Sequence, residues 1–244
     1  MTTDRGNDLK KKKLRARKKE RTEQAILIAA EEFFSKRPMD EVNLEEIAEA
    51  AFVSRTTLYN YFKNKDAIFF ELGIRQFIAI NDYNEENFPN DLTGFDQYMQ
   101  LVVTAFEDGI AKPLIFSILR EFFARINQSD ISLKEWAAEI KKGVGRPRFE
   151  RFLKEIEEPY LVRFYSQLLR NRDTWIKVIK KGKADGTIVN ELEESHIAQF
   201  AYMFMSGMAE EIKLRDSELD LIGLKPTTLF ERIQDLISAF ARNP

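Results

Sequence analysis

The stretch that decides the fold spans residues 44–66 and reads LEEIAEAAFVSRTTLYNYFKNKD. Asn43 is placed to cap a short helix, and Glu46 can reach back from the third helical position to the cap. That helix stops at Ala51, and Ser54 is placed to cap a second short helix three residues later. The spacing predicts two short helices around a tight turn, which is the helix-turn-helix arrangement.

The second of these helices has a polar outer face, while Leu58 and Phe62 take core positions. In a helix-turn-helix pair the second helix enters the major groove N-terminus first, so the residues after its cap must reach base edges. We expect base contacts early in the helix and phosphate contacts from Tyr61 and Lys65 further along. A short polar-faced helix pair without a DNA role stays open on this geometry alone. The candidate DNA-binding residues are Asn43, Ser54, Arg55, Thr56, Thr57, Tyr59, Asn60, Tyr61 and Lys65.

The charge of the chain is unevenly distributed, although its net charge is only −2. Residues 1–65 hold 15 Lys and Arg against 11 Asp and Glu, and the excess lies mainly between Lys10 and Arg21. Such a run is either a solvated tail or an arm that contacts phosphates. We therefore interpret residues 1–21 as a basic N-terminal arm that runs into the first helix.

Apolar residues recur at helical spacing almost throughout, and strand signals are weak. The sequence thus predicts an all-α chain of about nine helices. Short helices before residue 63 contrast with longer ones after it, which places a domain boundary in the helix that begins near Lys65. We expect a DNA-binding domain at 22–65 and a larger helical domain at 66–244.

Residues 44–66 resemble the DNA-binding signature of TetR-family regulators in an ungapped match. The family pattern of Ile-Ala, Ala-Gly-Val-Ser, Thr-Leu-Tyr-x-Tyr-Phe and Ser-Lys-Glu reads here as Ile47-Ala48, Ala51-Phe52-Val53-Ser54, Thr57-Leu58-Tyr59-Asn60-Tyr61-Phe62 and Asn64-Lys65-Asp66. Phe52 replaces the usual turn glycine, so it must accept a positive φ or the turn must adjust. We expect its side chain to pack against the first helix.

The resemblance implies a three-helix DNA-binding head and a helical body with a ligand cavity, whose last two helices pair with a second copy. The segment from Gly182 to Ile188 looks like the Gly-x-x-x-Gly-x-Ile turn of the family, and its glycines suit a turn. Mostly apolar stripes favour a hydrophobic or amphipathic ligand. The candidate ligand-binding residues are Phe106, Phe116, Phe122, Phe123, Tyr165 and Trp175. The candidate dimer residues are Phe200, Phe204, Met208, Ile233, Leu236 and Phe240.

Other chemistry finds little support in the sequence. There is no Cys and a single His, and no phosphate-binding loop, metal motif or catalytic triad spacing is present. We expect no cofactor, no metal and no enzymatic activity. Without a run of eighteen apolar residues or a signal peptide, we expect a cytoplasmic protein without a membrane partner.

The expected function is a homodimeric repressor that a small ligand releases from a double-stranded operator. Two alternatives remain open. One is a DNA-binding protein of the same type that acts through a protein partner, and the other is a helical enzyme or scaffold with an incidental helix-turn-helix pattern.

Overall fold

The computed structural model of the chain describes residues 3–89, 91–128 and 158–243. In these ranges the chain forms ten α-helices, one short 3-10 helix at Met39–Glu41 and no strand, which confirms the all-α prediction. The helices are α1 (Thr3–Lys36), α2 (Leu44–Ala50), α3 (Arg55–Tyr61), α4 (Lys65–Glu86), α5 (Gly94–Ala111), α6 (Leu114–Gln128), α7 (Pro159–Ala184), α8 (Glu194–Leu214), α9 (Asp216–Leu221) and α10 (Pro226–Arg242).

The first compact unit spans Met1–Leu72, and we call it the head. Helix α1 packs against α2, and α2 packs against α3. Apolar side chains from each helix form a buried core, in which the Phe34 and Phe69 rings meet edge to face at 5.1 Å. The fully or nearly fully buried members are Ile26, Leu27, Ala30, Phe34, Val42, Ile47, Ala48, Leu58, Phe62, Ile68 and Phe69. The head therefore has its own hydrophobic centre beneath the two short helices.

The second compact unit spans Gly73–Pro244, and we call it the body. Helix α5 packs against α7, α8 and α10. At its N-terminus a Cβ on Gly94 would lie 1.9 Å from the backbone nitrogen of Gly182 in α7. The Asp185 carboxylate also accepts a hydrogen bond from the Gly94 N–H at 2.7 Å. Hydrogen bonds from Thr187 and from Gly94 lower the pKa of Asp185, so its charged form supports this junction.

The two glycines of the Gly182–Ile188 segment have different functions. Gly186 has φ +76° and makes the turn that the sequence predicts. Gly182 instead lies inside α7, where a Cβ would also be 2.5 Å from Ile188. Only Gly186 is needed for backbone conformation, and Gly182 is needed for close helix packing.

The predicted domain boundary and the compact units differ in position. Residue 65 is where α4 begins, whereas the division between the units falls between Leu72 and Gly73, inside that helix. The predicted basic arm at 1–21 is helical from Thr3 onward as part of α1. Its Lys and Arg residues favour helix and no Pro interrupts them, so the first helix starts earlier than the apolar pattern indicates.

Within the described ranges, no helix combines the length and the apolar character that crossing a membrane requires.

Candidate DNA-binding surface and ligand cavity

The turn of the helix-turn-helix is held by side-chain caps. The Glu46 carboxylate accepts a hydrogen bond from the Asn43 N–H at 3.0 Å, and Ser54 Oγ accepts one from the Thr57 N–H at 3.0 Å. Arg37 adds a hydrogen bond to Glu46 at 3.0 Å. The bonds from Asn43 and Arg37 lower the pKa of Glu46, which keeps this cap ionised near neutral pH. Asn43 and Ser54 thus fix the starts of α2 and α3, and the sequence did not indicate the part played by Arg37.

The outer face of α3 presents a run of polar side chains to solvent. Leu58 is fully buried and Phe62 nearly so, which turns the opposite side of the helix outward. Thr57 and Tyr61 are half-buried at the edges of that face. The exposed residues are Ser54, Arg55, Thr56, Tyr59 and Asn60. We call this set, with its two edge residues, the recognition face.

Arg55 does not extend freely from the recognition face. One of its guanidinium nitrogens lies 2.7 Å from a carboxylate oxygen of Glu45 in α2. Its guanidinium carbon lies 5.5 Å from the centroid of the Tyr59 ring, within the range of a cation–π contact. Arg55 must therefore break its ion pair with Glu45 before its guanidinium can bind a base edge.

Phe52 occupies the turn between α2 and α3 with φ +55°. Its side chain is 97% exposed, so the expected packing against the first helix is wrong. The reason is geometric: a residue in the left-handed conformation at this tight turn directs its side chain away from the core beneath it. The chain therefore keeps the turn that glycine would favour and accepts backbone strain.

Lys65 lies at the start of α4, where the sequence predicts a phosphate contact. Its ammonium group donates to the carbonyl oxygens of Asp40 at 3.1 Å and Val42 at 2.9 Å. Asn64 Oδ1 accepts from the Ala67 N–H at 2.9 Å, so this side chain already satisfies one N–H of the first turn. In this structure Lys65 ties the loop after α1 to α4, and a phosphate contact would have to share its ammonium.

The basic segment from Lys10 to Arg21 forms part of α1 and is solvent-exposed throughout. Within the described part of the chain, none of its nine cations forms an ion pair with an acidic side chain. They therefore present a concentrated positive potential beside the helix-turn-helix in sequence.

A cavity of about 540 Å³ opens within the body, between α6, α7 and α8. This volume falls in the range of roughly 300–1,000 Å³ that is usual for small-molecule sites. Four of the predicted ligand residues, Phe116, Phe123, Tyr165 and Trp175, line it. The other lining residues are Leu119, Arg120, Leu168, Leu169, Asn171, Arg172, Ala198, Gln199, Tyr202, Met203, Ser206, Gly207 and Glu210.

The two other predicted ligand residues lie in the core of the body and do not line this cavity. Phe106 stacks on Phe230 with centroids 4.1 Å apart. Phe122 is fully buried and meets the Phe164 ring edge to face at 5.1 Å. All of these residues lie on apolar stripes, so periodicity alone does not separate a core aromatic from a cavity aromatic.

A smaller chamber of about 50 Å³ lies beside the cavity and shares six of its lining residues. Two of its polar atoms, Gln76 Nε2 and Asn84 Oδ1, are buried without a hydrogen-bond partner among the described residues. Burial raises the pKa of Asp108, which also lines the chamber. The chamber has room for a few water molecules and enough polar partners to bind them.

The predicted dimer residues divide between core and surface. Ile233 is 3% exposed and belongs to the core of its own chain. Phe200 and Leu236 are 41% and 61% exposed, and the Phe200 ring stacks on that of Phe240 at 4.0 Å. Phe204, Met208 and Phe240 are half-buried. The exposed apolar strip on α8 and α10 is therefore centred on Phe200, Phe240 and Leu236.

Among the described residues no group of three or more His, Cys, Asp or Glu side chains is placed to hold a metal ion.

The head is similar in sequence to known regulatory proteins. The family model described as bacterial regulatory proteins of the tetR family matches residues 26–72. A helix-turn-helix-type transcriptional regulator of Haemophilus influenzae is 27% identical over 106 residues, which is 43% of this chain and 57% of that relative. The match thus spans little more than half the length of the curated relative.

Solved structures share the fold over most of both chains. FadR of Bacillus subtilis, solved in complex with stearoyl-CoA, has a TM-score of 0.62 at 16% identity and covers 89% of this chain and 98% of its own. A tetR-family regulatory protein of Rhodococcus RHA1 has a TM-score of 0.60 at 12% identity, with 91% and 98% covered. At such identities the likeness establishes the fold alone. The match at residues 26–72 and the capped helix pair make the head similar to the DNA-binding region of tetR-family bacterial regulatory proteins, and the body shares the all-helical fold of the solved structures.

Proposed function

We propose that the chain is a cytoplasmic, sequence-specific transcriptional repressor that binds duplex DNA as a homodimer and is released by a small amphipathic ligand. The observation that carries the proposal is the recognition face, which a capped and strained turn holds outward on α3. The caps stabilise the starts of both short helices, and the chain keeps the turn at Phe52 although its positive φ costs free energy.

The chemistry of the recognition face suits the major groove. Arg55 can donate two parallel hydrogen bonds to guanine, while Thr56 and Thr57 are compact enough to approach base edges. The hydroxyls of Tyr59 and Tyr61, with Asn60, are placed to donate to phosphates or bases further along the helix. In this assignment Asn43, Ser54 and Lys65 chiefly position the helix pair. The Asn43 N–H donates to the Glu46 carboxylate, Ser54 Oγ accepts from the Thr57 N–H, and the Lys65 ammonium donates to the Val42 carbonyl oxygen.

A single short recognition helix offers too few contacts for tight specific binding, so we infer two heads on two half-sites about 34–36 Å apart. The apolar strip on α8 and α10 supports this inference. Leu236 and Phe200 expose large apolar surfaces there, and a partner copy of the same strip would bury them.

The cavity supports a small ligand over a protein partner as the signal. Its walls are mostly apolar with a few polar groups, the usual composition of small-molecule sites. FadR of Bacillus subtilis, which shares the fold, was solved with an amphipathic ligand, stearoyl-CoA. Helix α4 starts in the head, and its residues Gln76 and Asn84 line the chamber in the body. An occupied cavity can therefore bias the head through a continuous helix.

The experiment begins with selection of duplex DNA from a random library by the full chain. We expect one enriched motif with two half-sites, and binding that weakens with salt. Decanoate, decan-1-ol and decylamine are then added separately to the protein–DNA complex. Release by at least one of them supports the ligand-responsive repressor. An enriched motif that none of them releases favours action through a protein partner, and the absence of any motif contradicts DNA recognition altogether.

The basic segment of α1 is proposed to add phosphate contacts. Deleting residues 1–13 should flatten the salt dependence, because each lost contact lowers the slope of log K against log salt by about 0.9. An unchanged slope in the truncated protein would show that the segment is a solvated tail.

A further inference from the structure

Three charged residues line the cavity, and they differ in whether they have an ion-pair partner. They are Arg120, Arg172 and Glu210. Arg120 pairs with Glu210, and both side chains of that pair are well exposed, at 67% and 43%. Their charges compensate each other, so neither leaves an unbalanced charge toward the cavity.

Arg172 is different. Its Nε atom is buried and has no hydrogen-bond partner among the described residues. No ion pair joins its guanidinium to any acid of the described chain. A buried donor without an acceptor costs free energy, and a guanidinium that is always charged cannot avoid this cost by losing its proton. Such a group in a cavity wall is explained if an acceptor arrives from outside the chain.

The rest of the wall determines what else the ligand must carry. Phe116, Leu119 and Trp175 form an apolar surface near the inner chamber, and Phe123 and Met203 extend it. Tyr202 and Ser206 also line the cavity and add hydroxyl groups to its wall. The cavity therefore suits a molecule with an apolar tail and one compact anionic head.

We propose that the ligand of this cavity is an amphipathic carboxylic acid whose carboxylate binds the guanidinium of Arg172. The proposal rests on the function proposed above and specifies its ligand class. The planar fork of arginine matches the two oxygens of a carboxylate, with two parallel hydrogen bonds. A monoanion is preferred to a phosphate dianion because Arg172 supplies one positive charge, and a second buried negative charge would lack a partner.

Binding to the purified chain is the direct test, with three probes that share a ten-carbon chain: decanoate, decan-1-ol and decyl phosphate. Calorimetry gives each affinity, and fluorescence of Trp175, which lines the cavity, reports occupancy. Decanoate should bind at least about tenfold more tightly than decan-1-ol, the ratio expected for one charge-assisted pair. Decyl phosphate should bind more weakly than decanoate.

Three variants locate the head group. Arg172→Gln should remove the preference for decanoate over decan-1-ol, and Arg172→Lys should retain part of it because the charge remains without the fork. Arg215→Gln is the control, since it removes a salt-bridged arginine of the body that does not line the cavity, and it should keep the full preference.

The outcomes separate this inference from the proposed function. Equal binding of decanoate and decan-1-ol by the wild-type protein would contradict a carboxylic acid as the ligand. It would not contradict a repressor that responds to some other ligand. Full preference in Arg172→Gln would overturn the assigned residue. If no probe binds or releases DNA, the ligand class and the proposed response fall together. The wild-type comparison needs no variant, so it decides the ligand class even if Arg172→Gln fails to fold.

Discussion

The head and the body differ in how far apart in sequence their functional contacts lie. In the head, each cap joins residues three apart, as Asn43 with Glu46 and Ser54 with Thr57. In the body, Gly94 meets Gly182 and Arg120 pairs with Glu210 across about 90 residues. Local contacts leave a readable pattern in the sequence, whereas contacts between distant helices depend on packing. The sequence therefore predicts the functional residues of the head better than it predicts those of the cavity.

The largest expected effect is a loss of stability when the close contact between α5 and α7 in the body is disrupted. Gly94→Ala places a Cβ 1.9 Å from the Gly182 nitrogen and 2.2 Å from its Cα, and neither backbone atom can move without shifting a helix. We expect the free energy of unfolding to fall by about 3 kcal/mol or more in urea denaturation followed by circular dichroism. Gly207→Ala is the control, because nothing lies within 4 Å of its added Cβ. Equal stability of the two variants would contradict the close packing of α5 on α7.

The next effect tests whether two heads are needed. Leu236→Glu places a charge on the exposed apolar strip, where a partner copy would have to desolvate it. Sedimentation should show monomers, and affinity for the selected motif should fall by about 100-fold, equivalent to about 2.7 kcal/mol. Tyr83→Glu introduces the same charge at an exposed aromatic residue outside this strip and should leave the dimer intact. A Leu236→Glu dimer that binds normally would move the interface elsewhere.

Base recognition by the head is tested next. Arg55→Ala should relax discrimination at one base position by about 2 kcal/mol, within the usual 1–3 kcal/mol of a bidentate contact. Repeating the library selection with the variant shows which position loses its preference. Arg215→Ala removes a similarly exposed, salt-bridged arginine from the body and should leave the motif unchanged. An unchanged motif in Arg55→Ala would remove this residue from base readout.

The strained turn gives a smaller and opposite effect. Phe52→Gly should raise the free energy of unfolding by about 1 kcal/mol, because glycine adopts a positive φ without steric strain. Phe52→Ala removes the exposed ring but keeps the strain, so it should bring little gain in the same urea titration. If both variants gain equally, the cost of Phe52 lies in its exposed apolar surface rather than in its backbone.

The smallest effect concerns the ion pair on the recognition face. Glu45→Gln frees Arg55 from its partner, and exposed pairs of this kind contribute up to about 1 kcal/mol. Affinity for the selected motif should therefore rise about threefold in gel shifts at low salt. Glu49→Gln makes the same charge change on α2 without an Arg55 partner. A gain of the same size in both variants would assign the effect to net charge alone.

Much of the head was predictable from particular residues. The caps at Asn43 and Ser54, the buried Leu58 and the polar face of α3 lie where the spacing places them. Phe52 shows the limit of prediction from sequence. The missing turn glycine indicates a positive φ at this position, but it does not indicate that the Phe52 side chain is exposed. Lys65 also escaped prediction, since its bonds to Asp40 and Val42 depend on how the loop after α1 returns to α4.

The body was predictable as a set of helices and not as a site. Periodicity identifies Phe116 and Phe122 equally as inward-facing, yet only Phe116 reaches the cavity. Ile233 and Leu236 lie three residues apart on one apolar stripe, and one is buried while the other faces solvent. Arg172 carries no sequence signal at all, because nothing in its neighbourhood distinguishes it from a solvated helix residue.

The sequence by itself determined the helical fold, the position of the helix-turn-helix and the outward side chains of α3, because helix periods and caps are set by residues three or four apart. Tertiary structure alone decided which aromatics line a cavity and which arginine in its wall lacks a partner. It also decided which glycine allows two helices to touch. These properties depend on the volume left between helices that are distant in the chain, and no local pattern of residues specifies that volume.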